Sequence, residues 1–154
     1  MVSPTMKHYS TCGWVLLVSL FLSGIELYGK EHPSLIYLDH DKVAAAFAKG
    51  MPLLETNNFK IQAGHREAPG QVEVHGRDTD IFYILEGSAT LVTGGKALQA
   101  KTVARHEIRG TAIEGGQSQH VVKGDVLVIP KGLPHWFKEV NGLLLYYVVK
   151  VTKG

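Results

Sequence analysis

Four side chains that commonly ligate metal ions lie in two short segments of the chain. Glu73, His75 and Asp80 fall within residues 70–87, a stretch that reads GQVEVHGRDTDIFYILEG. Glu73 and His75 are two positions apart, so an extended strand would project both side chains from one face. If that face points into a barrel, both side chains reach the same interior point.

His135 belongs to the second segment. It follows Pro130, Gly132 and Pro134, which form a rigid corner between two apolar runs. Such a corner holds a ligand without a large ordering cost. A single histidine after a Pro-Gly turn is more often structural, but its combination with the first segment favours a shared site. Neutral imidazole nitrogen and carboxylate oxygen suit Mn²⁺, Fe²⁺, Zn²⁺ or Ni²⁺.

The elements that would position these residues are short strands. Seventeen glycines in 154 residues separate alternating or apolar runs, which is typical of an all-β sandwich or barrel. Runs of this kind occupy residues 59–65, 71–75, 80–85, 89–93, 117–122, 126–129, 136–140 and 143–151. Turns are predicted at residues 86–87, 94–95 and 141–142, the last as a type I′ hairpin. Residues 96–116 are predicted to form a strand pair with an excursion through residues 105–107.

The N-terminal part differs in character. Residues 13–25 form an uncharged apolar run, shorter than the roughly 20 residues of a membrane span, so residues 1–29 are predicted to be a secretory signal peptide. An uncleaved anchor and a buried helix are the alternatives. Residues 30–58 form an extension with one helix over 40–49, capped by Asp39 and Gly50. Residues 59–154 would then be the barrel of a protein exported to the periplasm or the extracellular space.

Composition excludes several classes of function. The formal net charge is +2 and no basic stripe is present, so a nucleic-acid partner is not expected. The one cysteine, Cys12, precedes the apolar run and would be lost with a signal peptide, which excludes thiol catalysis. No stable membrane span is expected after cleavage.

The two segments resemble the paired motifs of the cupin superfamily, G-x5-H-x-H-x3/4-E-x6-G and G-x5-P-x-G-x2-H-x3-N. The second motif matches at Gly124, Pro130, Gly132 and His135, with Glu139 in place of its Asn. The first motif matches at His75 and Gly87, with Glu73 in place of the first His and Asp80 in place of the Glu.

The resemblance implies a single-domain jelly-roll barrel of the cupin-2 type that holds a divalent metal. Carried over by position, the ligands are Glu73, His75, Asp80 and His135. Replacing an imidazole by a carboxylate hardens the site and favours Mn²⁺, Fe²⁺ or Zn²⁺, with Ni²⁺ also compatible. Asp80 is one methylene shorter than Glu, and a contact through water is the alternative. A homodimer is expected by analogy.

Other residues receive secondary interpretations. Phe82 and Phe137 are in phase with Asp80 and His135, and are predicted to be core aromatics that alternatively line a pocket. His65 and Arg66 are interpreted as a rim pair, with a substrate role as the lesser alternative. Trp136, being out of phase, is predicted to pack outside the barrel or at an interface. His106 and His120 are predicted to face solvent, and Tyr146 and Tyr147 to lie in a core strand or a dimer edge.

Two functions of different class remain open. The first is a metal-dependent enzyme acting on a small molecule, and its catalytic residues and its reaction (dioxygenase, isomerase or epimerase, lyase) are not resolved by the sequence. The second is a non-catalytic module that captures a sugar or organic acid without an obligatory metal. A storage role of the seed-protein type is least favoured.

Overall fold

The computed structural model describes residues 34–152, and the residues from Ile36 onward belong to one compact unit. The signal peptide predicted over residues 1–29 lies outside the described residues. The elements are α1 (His40–Lys49), β1 (Pro52–Glu55), β2 (Phe59–Arg66), β3 (Val72–His75), β4 (Asp78–Thr93), β5 (Lys96–Leu98), β6 (Lys101–Ala104), β7 (Glu107–Gly110), β8 (Ala112–Glu114), β9 (Gln117–Val122), β10 (Val126–Ile129) and β11 (His135–Thr152). This architecture confirms the predicted all-β jelly roll with one short helix.

The helix begins and ends where its capping residues predict. The Asp39 carboxylate accepts a hydrogen bond from the backbone N–H of Lys42 at 2.8 Å. Gly50 has a φ of +64° and its N–H donates to Ala46 O, which ends the helix in the left-handed conformation that glycine tolerates. Ala46 is buried with Leu53 of β1 and Ala63 of β2. The extension therefore supplies a helix and a strand that pack on β2.

Two long strands replace the predicted turns at residues 86–87 and 141–142. β4 and β11 each run through those positions and pair with each other, so both turn predictions are wrong. The pairing passes from Asn141↔Ser88 to Leu145↔Glu86, which leaves extra residues on β11 as a bulge. The glycines thus bend a continuous pair of strands, and no chain reversal occurs there.

The glycine pair at residues 94–95 also does not reverse the chain. Pairings such as Thr93↔Gln117, Lys96↔Glu114 and Lys101↔Arg109 continue one register, so residues 88–122 form one long hairpin. Gly94 and Gly95 interrupt it opposite another glycine pair at 115–116, and its tip lies at residues 105–106. The predicted strand pair over 96–116 is the outer part of this hairpin.

β11 is the central strand of the fold. The sheet has the order β1-β2-β11-β3-β7-β6, and β4 pairs with β9, β10 and β11. Leu144 and Ile84 are fully buried in the main core, which also includes Tyr146. Because residues 145–151 of β11 have hydrogen-bonded neighbours on both sides, this stretch is an interior strand of the sheet and not a dimer edge.

Candidate metal centre and ligand pocket

Strand register brings the predicted ligands together. β3 pairs with β11 and with β7, so Glu73 lies opposite both His135 and Arg109. His75, two residues further along β3, lies opposite Glu107. The side chains at alternate positions of β3 share one face, which directs both toward the interior.

Three of the four predicted ligands form a compact group. One ligand atom from each of Glu73, His75 and His135 lies within 4.8 Å of the others. Both imidazoles are buried, each 3% exposed. The Nδ1 of His75 donates to Glu107 Oε2 at 2.8 Å, and the Nδ1 of His135 donates to Leu133 O at 3.1 Å. These contacts orient both rings and leave each Nε2 facing the centre of the group.

Asp80 lies beside this group and is held by a lysine. Its Oδ2 is 3.2 Å from His75 Nε2 and 3.9 Å from His135 Nε2. Lys150, its pairing partner on β11, donates to the same oxygen at 2.7 Å. Asp80 is 1% exposed, and its Oδ1 is buried without a hydrogen-bond partner among the described residues. Its role as a fourth direct ligand stays a prediction.

The electrostatics of the group differ from one ligand to the next. Burial lowers the pKa of His135, which keeps this imidazole neutral and able to ligate. Burial would also lower the pKa of His75, but the carboxylates of Asp80 and Glu73 outweigh it and raise that pKa to about 9. Burial opposes ionisation of Glu73, yet His75, Arg109 and His135 together lower its pKa to about 2.

This donor set fits a divalent transition metal. Two imidazoles and one carboxylate are a typical ligand set for Fe²⁺ and related ions, and they leave coordination positions open. The unpartnered buried oxygen of Asp80 adds negative potential next to the group. The Lys150 ammonium, however, lies 2.9 Å from His75 Nε2. A metal ion bound to this nitrogen would have to displace Lys150.

A cavity of about 510 Å³ opens from the metal-binding group. Phe82 and Phe137 belong to the main hydrophobic core, as predicted, at 5% and 4% exposed, and they also border this cavity. Their ring centroids lie 5.7 Å apart, and Tyr146 stacks on Phe137 at 5.6 Å. The cavity therefore joins a charged end to an apolar aromatic end.

The remaining sequence-based expectations divide into those inside and those outside the cavity. Trp136 lies between the buried His135 and Phe137 on β11, so its expected position outside the barrel stays a prediction. Its half-buried indole N–H donates to Gly70 O, and the residue also borders the cavity. His65 contacts the helix through Phe47 O and lies outside the cavity, whereas Arg66 lines it. His106 and His120 are exposed, as predicted.

Three residues of the site were missed by the sequence analysis: Lys150, Glu107 and Arg109. Lys150 carried a readable signal, because it is the only charge in residues 143–151 and is in phase with the inward-facing Tyr146 and Val148. Glu107 and Arg109 gave none, since their position depends on the pairing of β7 with β3.

Comparison with known families agrees with this geometry. The family model described as Cupin matches residues 30–153. The chain belongs to the cupin family. A search of curated proteins gives no match. Among solved structures, this cupin is similar to a Bacillus halodurans protein, with 14% identity, a TM-score of 0.53, and 82% of this chain and 86% of that chain covered.

Two further structures show the extent of the similarity. The Cnp3 cupin domain of Schizosaccharomyces pombe gives a TM-score of 0.51 at 14% identity, over 68% of this chain and 64% of that domain. Peruvianin-I, a cysteine peptidase from Thevetia peruviana latex, gives 0.43 at 14% identity over 63% of this chain. This cupin spans about half of the peptidase, 52% of its chain. At such identities the similarity concerns the fold alone.

Proposed function

We propose that this cupin binds a divalent transition metal through Glu73, His75 and His135, and binds or acts on a small molecule in the adjoining cavity. The observation that supports this most directly is the convergence of three buried or half-buried ligand atoms within 4.8 Å. The ligand would be a sugar or an organic acid, in keeping with a cavity of about 510 Å³. Mn²⁺, Fe²⁺ and Zn²⁺ suit the donor set best, and Ni²⁺ is also compatible.

The protein supplies orientation and exclusion of water at this site. A bound divalent metal would polarise a carbonyl group or activate water or dioxygen. Glu107 holds the His75 ring, and Arg109 in turn donates to Glu107 Oε2 at 2.9 Å. Phe82 and Phe137 keep the inner wall apolar, which strengthens electrostatic interactions in the cavity.

Metal content tests the proposal. After mild purification the protein is expected to carry, or to take up, close to one equivalent of Mn²⁺, Fe²⁺ or Zn²⁺. The substitutions His75→Ala and His135→Ala should abolish binding while the far-UV circular dichroism of a folded β protein persists. His120→Ala, on an exposed strand position, is the matched control.

Two outcomes of this experiment carry further meaning. Less than about a tenth of an equivalent, with no uptake on adding any of the three ions, would rule out the metal site. The variant Asp80→Ala distinguishes a direct ligand from a neighbour. Complete loss of metal identifies a ligand, and modestly weaker binding identifies a residue that acts through Lys150 or a bound water.

A second function is favoured by one specific observation. The Lys150 ammonium lies 2.7 Å from Asp80 Oδ2 and 2.9 Å from His75 Nε2, where it supplies positive charge without any metal. A non-catalytic cupin could use this cation to hold a small ligand. Ligand binding that persists unchanged after treatment with a chelator would support this function over the metal-dependent one.

The proposal includes the cellular location and the assembly. We propose that the cupin is exported, because residues 13–25 have the length and polarity of a signal-peptide core. N-terminal sequencing of the protein recovered outside the cytoplasm should begin near residue 30, and a start at Met1 would contradict export.

Among residues 34–152, the one helix is too short to cross a bilayer. We also propose a homodimer formed through the outer face of β10.

A further inference from the structure

Arg66 occupies the aromatic end of the cavity. It is the last residue of β2 and pairs with the buried Leu144 of β11. Its guanidinium carbon lies 5.4 Å from the centroid of the Phe137 ring, in a cation–π arrangement. Because Arg66 and the metal-binding group line the same cavity, both can contact a single ligand.

Arg66 differs from the other cations of this cavity in having no acidic partner among the described residues. Lys60 pairs with Glu55 at 2.7 Å, Arg109 with Glu107 at 2.9 Å, and Lys150 with Asp80 at 2.7 Å. The Nε of Arg66 is buried and has no hydrogen-bond partner within residues 34–152. A buried donor without an acceptor costs free energy, and a ligand oxygen would remove that cost.

The charge of the cavity indicates the sign of its ligand. Four basic and four acidic side chains line it, so its formal charge is zero before its two histidines are counted. Three of the basic side chains are paired with carboxylates, and Arg66 is the one without an acidic partner within residues 34–152. A bound divalent metal would make the cavity positive. Both considerations favour an anion over a neutral sugar.

We propose that Arg66 anchors the carboxylate of a small organic acid whose other end reaches the group formed by Glu73, His75 and His135. This inference rests on the proposed function and selects the organic acid from its two ligand classes. The planar guanidinium can donate two parallel hydrogen bonds to a carboxylate. At this end of the cavity one unpaired cation matches one negative charge, whereas the second charge of a phosphate bound to Arg66 would lack a partner there. The rings of Phe82, Phe137 and Tyr146 would contact an apolar or aromatic body between the two polar ends.

Binding of simple acids tests the proposal. The probes are benzoate, phenylacetate and hexanoate, with benzamide as the neutral analogue of benzoate and phenyl phosphate as the dianion. Isothermal titration calorimetry is carried out on metal-loaded and on chelator-treated protein. At least one of the three carboxylates should bind, benzamide should bind more weakly than benzoate, and phenyl phosphate should not exceed the carboxylates.

The substitution Arg66→Gln should weaken carboxylate binding by about 10- to 100-fold, because it removes a charge-assisted hydrogen bond. Arg77→Gln, at an exposed position, is the matched control and should change nothing. Arg66→Lys keeps the positive charge but loses the planar guanidinium, so it is expected to retain part of the carboxylate binding. Partial binding by this variant would also show that loss of binding in Arg66→Gln does not come from misfolding.

The proposal is overturned if Arg66→Gln binds benzoate within about threefold of the unchanged protein, if benzamide binds as tightly as benzoate, or if none of the carboxylates binds. These outcomes are separate from failure of the metal site. Carboxylate binding that depends on Arg66 in chelator-treated protein would uphold the anchor even where no metal is taken up. Metal uptake without any effect of Arg66 would uphold the metal site alone.

Discussion

Lys150 and a metal ion compete for one atom, Nε2 of His75. The ammonium lies 2.9 Å from that nitrogen, whereas a metal–imidazole bond is about 2.0–2.1 Å long, so both cannot occupy the position. Lys150→Met removes the competitor and leaves the Asp80 carboxylate buried without its cation. We expect metal affinity to rise by about tenfold or more, and the melting temperature of the metal-free protein to fall, because an unpaired buried charge is costly.

Calorimetric titration with Zn²⁺ and Mn²⁺, and thermal unfolding in a chelator, measure the two effects. Lys138→Met, an exposed position on the same strand, is the control. Unchanged metal affinity in Lys150→Met would show that Lys150 leaves the site at no cost and does not compete.

The same residues predict how the stability of the metal-free protein depends on pH. The pKa of His75 is raised from 6.5 to about 9 in the folded chain, so its contribution is complete below about pH 6.5 and is lost as the pH rises through 9. The pKa of Glu73 is lowered from 4.5 to about 2, so its contribution is present above pH 4.5 and is lost as the pH falls toward 2. Stability from these two groups is therefore greatest between about pH 4.5 and 6.5.

Thermal unfolding in a chelator between pH 6 and 9.5 measures the alkaline side. The melting temperature should fall by several degrees, and His75→Gln should flatten that slope while His120→Gln does not. An equally steep slope in His75→Gln would assign the pH dependence to other groups.

At this scale the sequence predicts what lies within one strand better than what lies across strands. Glu73 and His75 follow from a period of two, and His135 from its rigid corner and the family resemblance. Glu107 and Arg109 enter the site only through the pairing of β7 with β3, which brings together residues more than 30 positions apart. The register between β7 and β3 depends on tertiary packing, so no local sequence pattern predicts it.

The elements that carry the site also set limits on substitution. Gly64 of β2 lies directly opposite Tyr146 of β11, and a side chain there would overlap the Tyr146 ring. Because Tyr146 lines the cavity, Gly64 gives the ring the space to lie against the strand. Gly64→Ala is expected to destabilise the protein by about 1–3 kcal/mol through overpacking.

Chemical denaturation measures this effect, with Gly76→Ala as the control. At Gly76 an added Cβ would approach the His106 side chain only to 3.4 Å, which is an ordinary contact distance. Equal stability of the two variants would show that Tyr146 moves away without cost, and that Gly64 is not required for the shape of the cavity.

Helices and strands could be predicted where the sequence signals that bound them act locally. The caps Asp39 and Gly50 act within one helical turn, so the helix bounds could be derived from sequence. A glycine after an apolar run is an ambiguous signal, because its backbone freedom suits both a chain-reversing turn and a bulge within a strand. Gly87 and Gly142 both have positive φ values, as a turn would require, yet both lie inside long strands. Only the partner strand decides between the two.

At the scale of the molecule, the helix covers one part of the outer face of the sheet and leaves the neighbouring part exposed to solvent. The helix packs on β2 and β11, where Phe47 contacts Tyr147 with a centroid distance of 4.8 Å. The adjacent strands β4 and β10 expose Tyr83 and Ile81 opposite Val126 and Val128, the two valines being 63% and 61% exposed. Within the described residues β10 pairs with β4 alone, so its other edge is open to a partner.

A second copy of this chain suits that surface. An edge strand can pair antiparallel with its own copy about a twofold axis, and the two apolar faces would then form one continuous patch. Val128→Glu places a charge in the centre of that patch and is expected to convert a dimer to a monomer. Val103→Glu, at a valine that is 60% exposed on β6, is the matched control and should leave the dimer intact.

Size-exclusion chromatography with multi-angle light scattering measures the mass of the three proteins. A mass near twice 16.9 kDa for the unchanged protein, and near 16.9 kDa for Val128→Glu alone, is the expected result when the full chain is retained. Monomeric unchanged protein would contradict the dimer, and a dimer that survives Val128→Glu would place its interface on another face. Because β4 also carries Asp80, the Val128→Glu variant should be titrated with metal as well. Asp80 and Val128 project to opposite sides of the sheet, so this variant is expected to bind metal with the affinity of the unchanged protein.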